Sequence, residues 1–299
     1  MLWSTRSNPD RRGDAVNTTA PSVRRVEIPA GTIEYLDEGA GAPVVLLHGL
    51  FMDEALWDPV MAHLPNGFRY IRPVLPLGAH RVAMNRDADL TMPGMVALLA
   101  DFLDALDLRE LTLVHTDWGG GLFLTAAGRD ERVGAMVILP CEAFENFPPG
   151  LPGKMATIAA RLPGGLTLAA RQLRNSRLRR LPMVFGQMTR RPISDELARR
   201  WTEPVLTTPG IATDLASYAA THFDRRELIA DTEALARFTG HALVLWSPDN
   251  RVMPPAHGRR LAELIPGARY AEIADAAVLL TLDAPVTVGH EIGSFLTGN

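Results

Sequence analysis

The sequence predicts an α/β fold, a mostly parallel twisted sheet flanked by helices and interrupted by a helical insertion. Three observations carry this. Short apolar runs alternate with segments patterned as helices. Val44-Val45-Leu46-Leu47-His48 is apolar without alternation, as a strand buried on both faces must be. The alternation stops at residue 141 and resumes only after residue 224.

Residues 1–24 are polar, rich in Arg, Asn, Ser, Thr and Pro, and lack the apolar stretch of a secretory signal. They are expected to form a flexible N-terminal tail, with Trp3 a candidate tether. Val23–Ile28 and Thr32–Leu36 alternate as strands and suggest a hairpin turned at Ala30-Gly31. Further strands are expected at Val44–His48, Phe68–Val74, Leu111–Val114, Val133–Leu139, His241–Trp246 and Arg269–Ile273. Apolar residues at helical spacing mark Met95–Leu106, Ala256–Leu264 and Pro285–Leu296, and a small-residue helix is expected over Gly119–Ala127. Residues 141–224 offer no convincing strand. They carry many Pro and Gly residues with Arg-rich helical pieces, and so form a cap (lid) on a core built from residues 25–140 and 225–299.

Composition narrows the function. The chain has 299 residues and a formal charge of −4, and no basic helix is interleaved with aromatics, so nucleic acid is not an expected partner. No apolar run reaches the roughly 18–20 residues of a membrane span, and no membrane partner is expected. The single cysteine, Cys141, permits no intrachain disulfide and suggests the cytoplasm. The cap carries an arginine cluster (Arg171, Arg174, Arg177, Arg179, Arg180, Arg190, Arg191, Arg199 and Arg200). Such side chains usually lay their stems over apolar surface and hold the charge in water; selection of an anionic substrate is the other reading.

The chemistry centres on Val114-His115-Thr116-Asp117-Trp118-Gly119-Gly120. This reads as a strand, a sharp turn and a helix, with Asp117 exposed on the turn as a nucleophile. Small residues must follow it where strand and helix approach closely, and Gly119 and Gly120 supply them. The run ending in His48-Gly49-Leu50 supplies a second element. The backbone N–H groups of Leu50 and Trp118 can together form an oxyanion hole.

These residues resemble the α/β-hydrolase fold, specifically the branch of epoxide hydrolases and haloalkane dehalogenases. Leu46-Leu47-His48-Gly49, Asp117-Trp118-Gly119-Gly120, the segment Leu245–Pro254 and Leu282-Asp283-Ala284-Pro285 carry the likeness. The resemblance implies that Asp117 attacks a carbon to give an ester, which a His–acid pair then hydrolyses. It implies that the Trp118 indole steadies a leaving halide, though an aromatic beside the turn can also serve packing alone. It aligns the acid position with Asn250, which is no acid, and leaves Asp249 one residue before it, Glu142 after the sixth strand, or neither to serve. It puts the histidine at Val278, which can neither take a proton nor accept a hydrogen bond.

Four histidines could border the pocket or stand in as base: His48 in the His-Gly turn, His80 after the fourth strand, His115 two residues before Asp117, and His222 where the cap rejoins the core. The ordinary alternative for each is a hydrogen-bonded structural imidazole. No cofactor and no metal are expected. The reading is a hydrolase by resemblance, acting on a small, mostly apolar molecule, as a monomer or homodimer. Two alternatives stay open: a lyase, isomerase or cyclase that reuses the oxyanion hole and Asp117, and an inactive ligand-binding protein.

Overall fold

A computed structural model describes residues 22–222 and 224–298. Most of the expected tail, with Trp3, lies outside the described residues. Eight strands form one sheet in the order β1-β2-β4-β3-β5-β6-β7-β8. They are β1 Val23–Ile28, β2 Gly31–Gly39, β3 Ala42–Leu46, β4 Phe68–Pro73, β5 Leu111–Asp117, β6 Val133–Cys141, β7 His241–Trp246 and β8 Arg269–Glu272. β1 pairs with β2, and β2 with β4, in antiparallel fashion; every later pairing is parallel. The expected hairpin is present. Gly31, at φ 138°, supplies a backbone that side chains resist.

The apolar run of β3 is dictated by its place in the middle of the sheet. Val44, Val45 and Leu46 are fully buried, as are Leu111 and Val114 on β5 and Val244 and Leu245 on β7. Helices Met92–Ala105, Pro255–Leu264 and Pro285–Thr297 flank the sheet. Thr91 caps the first of these, its hydroxyl accepting from Gly94 N–H.

Between β6 and β7 the chain builds helices Gly150–Arg161, Gly165–Arg174, Ser176–Arg179, Asp195–Thr207, Ile211–Ala219 and Arg225–Glu233. Two buried carboxylates fasten this region to the sheet. Asp53, beyond the His-Gly turn, accepts from Arg200 Nε at 2.6 Å and from the Trp201 indole N–H at 2.9 Å. Asp283 accepts from the backbone N–H of Arg190 and Arg191, each at 2.9 Å, and from the Thr189 hydroxyl at 2.6 Å.

The expected helix over Gly119–Ala127 is not formed. A short 3₁₀ turn at Gly121–Phe123 takes its place, and further turns follow. Gly119 and Gly120 adopt φ of 155° and 77°, outside the right-handed helical region. Their N–H groups are turned to a buried side chain, described next.

Candidate active site

β5 ends at Asp117, which adopts φ 56°. That is the strained left-handed backbone of a nucleophile turn in a residue other than glycine. The sheet register also breaks between His115 and Asp117, so the strand's alternation does not carry through to the turn. One Asp117 oxygen, Oδ2, accepts from Leu50 N–H at 3.1 Å. The N–H of Trp118 supports the same carboxylate. The two donors expected to form an oxyanion hole therefore hold the carboxylate of Asp117, the candidate nucleophile. Gly49 makes the approach possible: a Cβ there would lie 2.1 Å from Asp117 Oδ2.

Asp117 and Trp118 stand at the floor of a half-open cavity of about 260 Å³. Its walls come from the turn at Leu50–Met52 and from cap residues between Pro149 and Met188. Among the described residues Asp117 is the only titratable one on that wall, and Gln172 the only neutral amide; the remainder is essentially aliphatic and aromatic. The Trp118 ring packs 4.9 Å from Phe147 and 6.1 Å from Tyr218. Trp118 itself lines the cavity beside Asp117. Burial raises the Asp117 pKa to about 7, with the Glu142 charge adding to the effect and the Leu50 and Trp118 N–H groups opposing it.

Glu142 is fully buried and does not line the cavity. Its Oε1 accepts from Gly119 N–H at 3.2 Å and from Gly120 N–H at 3.1 Å. A carboxylate from the end of β6 thus takes the backbone donors that a helix start would have aimed toward Asp117. The other oxygen lies 3.4 Å from His115 Nε2. His115, Cys141 and Glu142 bring donor atoms within 4.8 Å of one another, and among the described residues these three could hold a metal ion. They lie beneath the turn and outside the cavity wall. Burial and the charges of Glu142 and Asp117 push the Cys141 thiol well above its ordinary range, which opposes thiolate formation.

The structure brings none of the four candidate histidines to the cavity wall. His48 uses both ring nitrogens within the turn. Nδ1 lies 2.9 Å from Gly49 O, and Nε2 accepts from Leu75 N–H at 2.8 Å. Burial lowers its pKa to about 4, so it stays neutral. His80 Nε2 lies 3.1 Å from Asp214 on the cap helix Ile211–Ala219, which makes it a link between core and cap. His115 faces Glu142. His222 is exposed.

Asn250 and Val278, where the resemblance expects the acid and the histidine, make structural contacts. Asn250 Oδ1 accepts from Val252 and Met253 N–H at 3.0 and 2.8 Å, and its amide donates to Ala277 O at 3.4 Å. An ionised aspartate could not make that last bond. Val278 is fully buried and also absent from the cavity wall. Its N–H and that of Leu279 both donate to Met188 O, at 3.0 and 2.8 Å, and Met188 does line the cavity. Asp249 points outward to Arg190 Nη2 at 2.6 Å.

No motif marked Met188, Gln172, Phe147 or Tyr218. They meet the site only through the folding of the cap, so local pattern could not reveal them. The arginine cluster is likewise absent from the cavity wall. Arg174, Arg179, Arg190 and Arg200 each pair with an acid.

Comparison with known proteins agrees with this geometry. Residues 42–285 match the model of the alpha/beta hydrolase fold family. The chain is 28% identical to a haloalkane dehalogenase of Mesorhizobium japonicum, over 93% of this chain and 92% of that protein. It is 30% identical to a 2-hydroxy-6-oxo-2,4-heptadienoate hydrolase of Pseudomonas putida, over 79% of this chain and 83% of that protein. The solved haloalkane dehalogenase DatA of Agrobacterium tumefaciens superposes with a TM-score of 0.70 at 20% identity, covering 92% of this chain and 97% of that one. A thermophilic esterase of Thermogutta terrifontis gives a TM-score of 0.70 at 22% identity, over 92% and 98%. These two structures speak for the fold alone. The chain belongs to the α/β-hydrolase fold family and is related to haloalkane dehalogenases and to the Pseudomonas putida hydrolase.

Proposed function

We propose that Asp117 takes an alkyl group from a small apolar electrophile and that the resulting ester is hydrolysed without help from an enzyme base. The observation that carries the reading is the Asp117 carboxylate itself. Its Oδ2 is held by the Leu50 N–H while the residue lines an apolar cavity beside Trp118.

In the first step an Asp117 oxygen attacks a saturated carbon. The carbon–halogen bond breaks, and the halide leaves with the electron pair toward the Trp118 N–H. The product is a neutral ester, which suits the apolar cavity better than the carboxylate does. In the second step water adds to the ester carbon. The oxygen beside Leu50 and Trp118 then carries the negative charge, and collapse releases the alcohol and restores the acid. The resemblance puts the histidine at Val278, and among the described residues no base other than Asp117 lines the cavity. General-base assistance is worth about 10²–10⁴-fold, so the second step is slow here.

Alkylation of the intact protein by 1-bromohexane tests this. One hexyl group on Asp117, seen by intact mass and peptide mapping and absent from Asp117→Asn, supports the reading. Absence of any adduct over a panel of primary halides and epoxides rejects it.

A second reading is favoured by one observation. A carboxyl group poised near neutrality is suited to moving protons. Isomerase or lyase chemistry at Asp117 predicts hydrogen exchange into a substrate without an adduct. Polarisation of a substrate carbonyl by Leu50 and Trp118 is less favoured, because Asp117 already occupies those donors.

A further inference from the structure

We propose that the cap face around the cavity mouth is a docking surface for anionic lipid, so that the cavity opens toward a membrane surface. The inference does not depend on the chemistry at Asp117.

Three observations converge. Among the described residues, eight of the ten exposed large hydrophobic side chains lie between Leu151 and Met183. On helix Gly150–Arg161 and the residue after it, Leu151, Met155, Ile158 and Leu162 follow one another at spacings of three and four, and are 43%, 37%, 49% and 57% exposed. This is the apolar stripe of an amphipathic helix. Here it faces water instead of core. Single exposed leucines need no explanation, but a stripe continued by Leu168 at 56% and Met183 at 44% does.

The second observation is charge. Residues 146–194 contain nine lysines and arginines and no aspartate or glutamate, in a chain whose total charge is −4. Lys154, Arg161, Arg171, Arg177, Arg180 and Arg191 are exposed, and none forms an ion pair among the described residues. Several share a helix face with the stripe: Ile158 with Arg161, and Leu168 with Arg171, are three residues apart. Cations interleaved with exposed aliphatic groups are what an anionic lipid interface recognises.

The third observation is position. Met155, Ile158, Leu162, Leu168 and Met183 are exposed and also line the cavity above Asp117, so they form its rim.

Other occupants fit less well. A second copy docked through the same face would set cations against cations. A single-stranded nucleic acid would want aromatic platforms, and the exposed large side chains here are all aliphatic. The expectation of no membrane partner rested on the lack of a spanning segment. No helix among the described residues is long and apolar enough to cross a membrane, but a peripheral contact needs none.

Vesicle flotation of the full chain tests the proposal. The protein should float with phosphatidylglycerol-containing vesicles at low salt, remain behind with pure phosphatidylcholine, and be released at about 1 M salt. Two double variants lie outside the cavity wall: Arg177→Glu with Arg180→Glu, and Leu178→Ser with Leu181→Ser. Each should lower partitioning about tenfold or more while keeping the native circular dichroism spectrum. Lack of flotation with anionic vesicles overturns the proposal. So does equal binding to neutral vesicles, or unchanged binding by the charge-reversed variant. Dimerisation or RNA-oligonucleotide binding abolished by the same variants, in place of vesicle binding, overturns it in favour of that partner.

Discussion

The N–H of Leu50 donates to Asp117 Oδ2 at 3.1 Å, joining two turns 67 residues apart in sequence. This bond fixes which Asp117 oxygen is spent on the backbone and leaves the other to react.

Gly49→Ala should break the arrangement. The added Cβ would stand 2.1 Å from Asp117 Oδ2 and 2.4 Å from its Cβ. The carboxylate must then leave Leu50. Displacements of this size cost about 10²-fold in rate. Single-turnover labelling of the variant by 1-bromohexane, with folding checked by near-ultraviolet circular dichroism, measures the effect.

Alkylation requires the Asp117 anion, and its pKa is raised from 3.8 to about 7. The labelling rate should therefore climb as pH rises through about 7 and level above it. The same shift acts on stability. A carboxyl whose folded pKa is raised binds its proton more tightly in the folded state. It costs nothing below 3.8, and the cost accumulates until about 7. By linkage the full cost is roughly 4 kcal/mol. Asp117→Asn should raise the melting temperature more at pH 8 than at pH 4, as thermal scans at the two pH values would show.

Asp53→Ala should loosen the cap. It removes the acceptor shared by Arg200 Nε, the Trp201 indole and Ala55 N–H, at 2.6, 2.9 and 3.0 Å. Stripping one partner from a buried charged cluster costs about 3–5 kcal/mol. Urea unfolding should show the loss, and proteolysis should cut first between residues 141 and 224.

Val278→His alone should not create an efficient hydrolase. Val278 is fully buried and absent from the cavity wall, and its N–H is bonded to Met188 O. Met188, which does line the cavity, must give way. Val278→His combined with Met188→Ala should speed ester release by at least about tenfold over either single variant, since a base typically contributes 10²–10⁴-fold. Release of hexanol from the labelled protein reports it. Equal release by the Val278→His single and double variants would show that Met188 is no obstacle.

The sheet was legible because buried parallel strands must be continuously apolar, as Val44–Leu46 is, and because a turn such as Ala30-Gly31 has its own chemistry. The helix expected after Asp117 does not form, for a physical reason. Small residues at Gly119 and Gly120 fit a helix packed against a strand, but they fit positive φ equally well. The deciding partner, Glu142, lies more than 20 residues away. The sequence marks Glu142 as a candidate acid, yet its direction is not legible, since periodicity says nothing about a side chain just past a strand end; it meets Gly119 and Gly120 and stays off the cavity wall. Asn250 and Val278 were visible as departures. Their bonds to Ala277 and Met188 belong to tertiary structure and leave no trace in spacing. The cap's hold on the core through Asp53, Arg200 and Trp201 spans almost 150 residues and was invisible for the same reason.

The most direct test of the account follows one adduct over time. Wild-type protein is incubated with excess 1-bromohexane at pH 8, and intact mass and released hexanol are recorded together. The account predicts one hexyl ester on Asp117, stoichiometric bromide release, and hexanol appearing far more slowly than bromide. Hexanol that keeps pace with bromide through many turnovers, or a protein that never gains the hexyl mass, would contradict it.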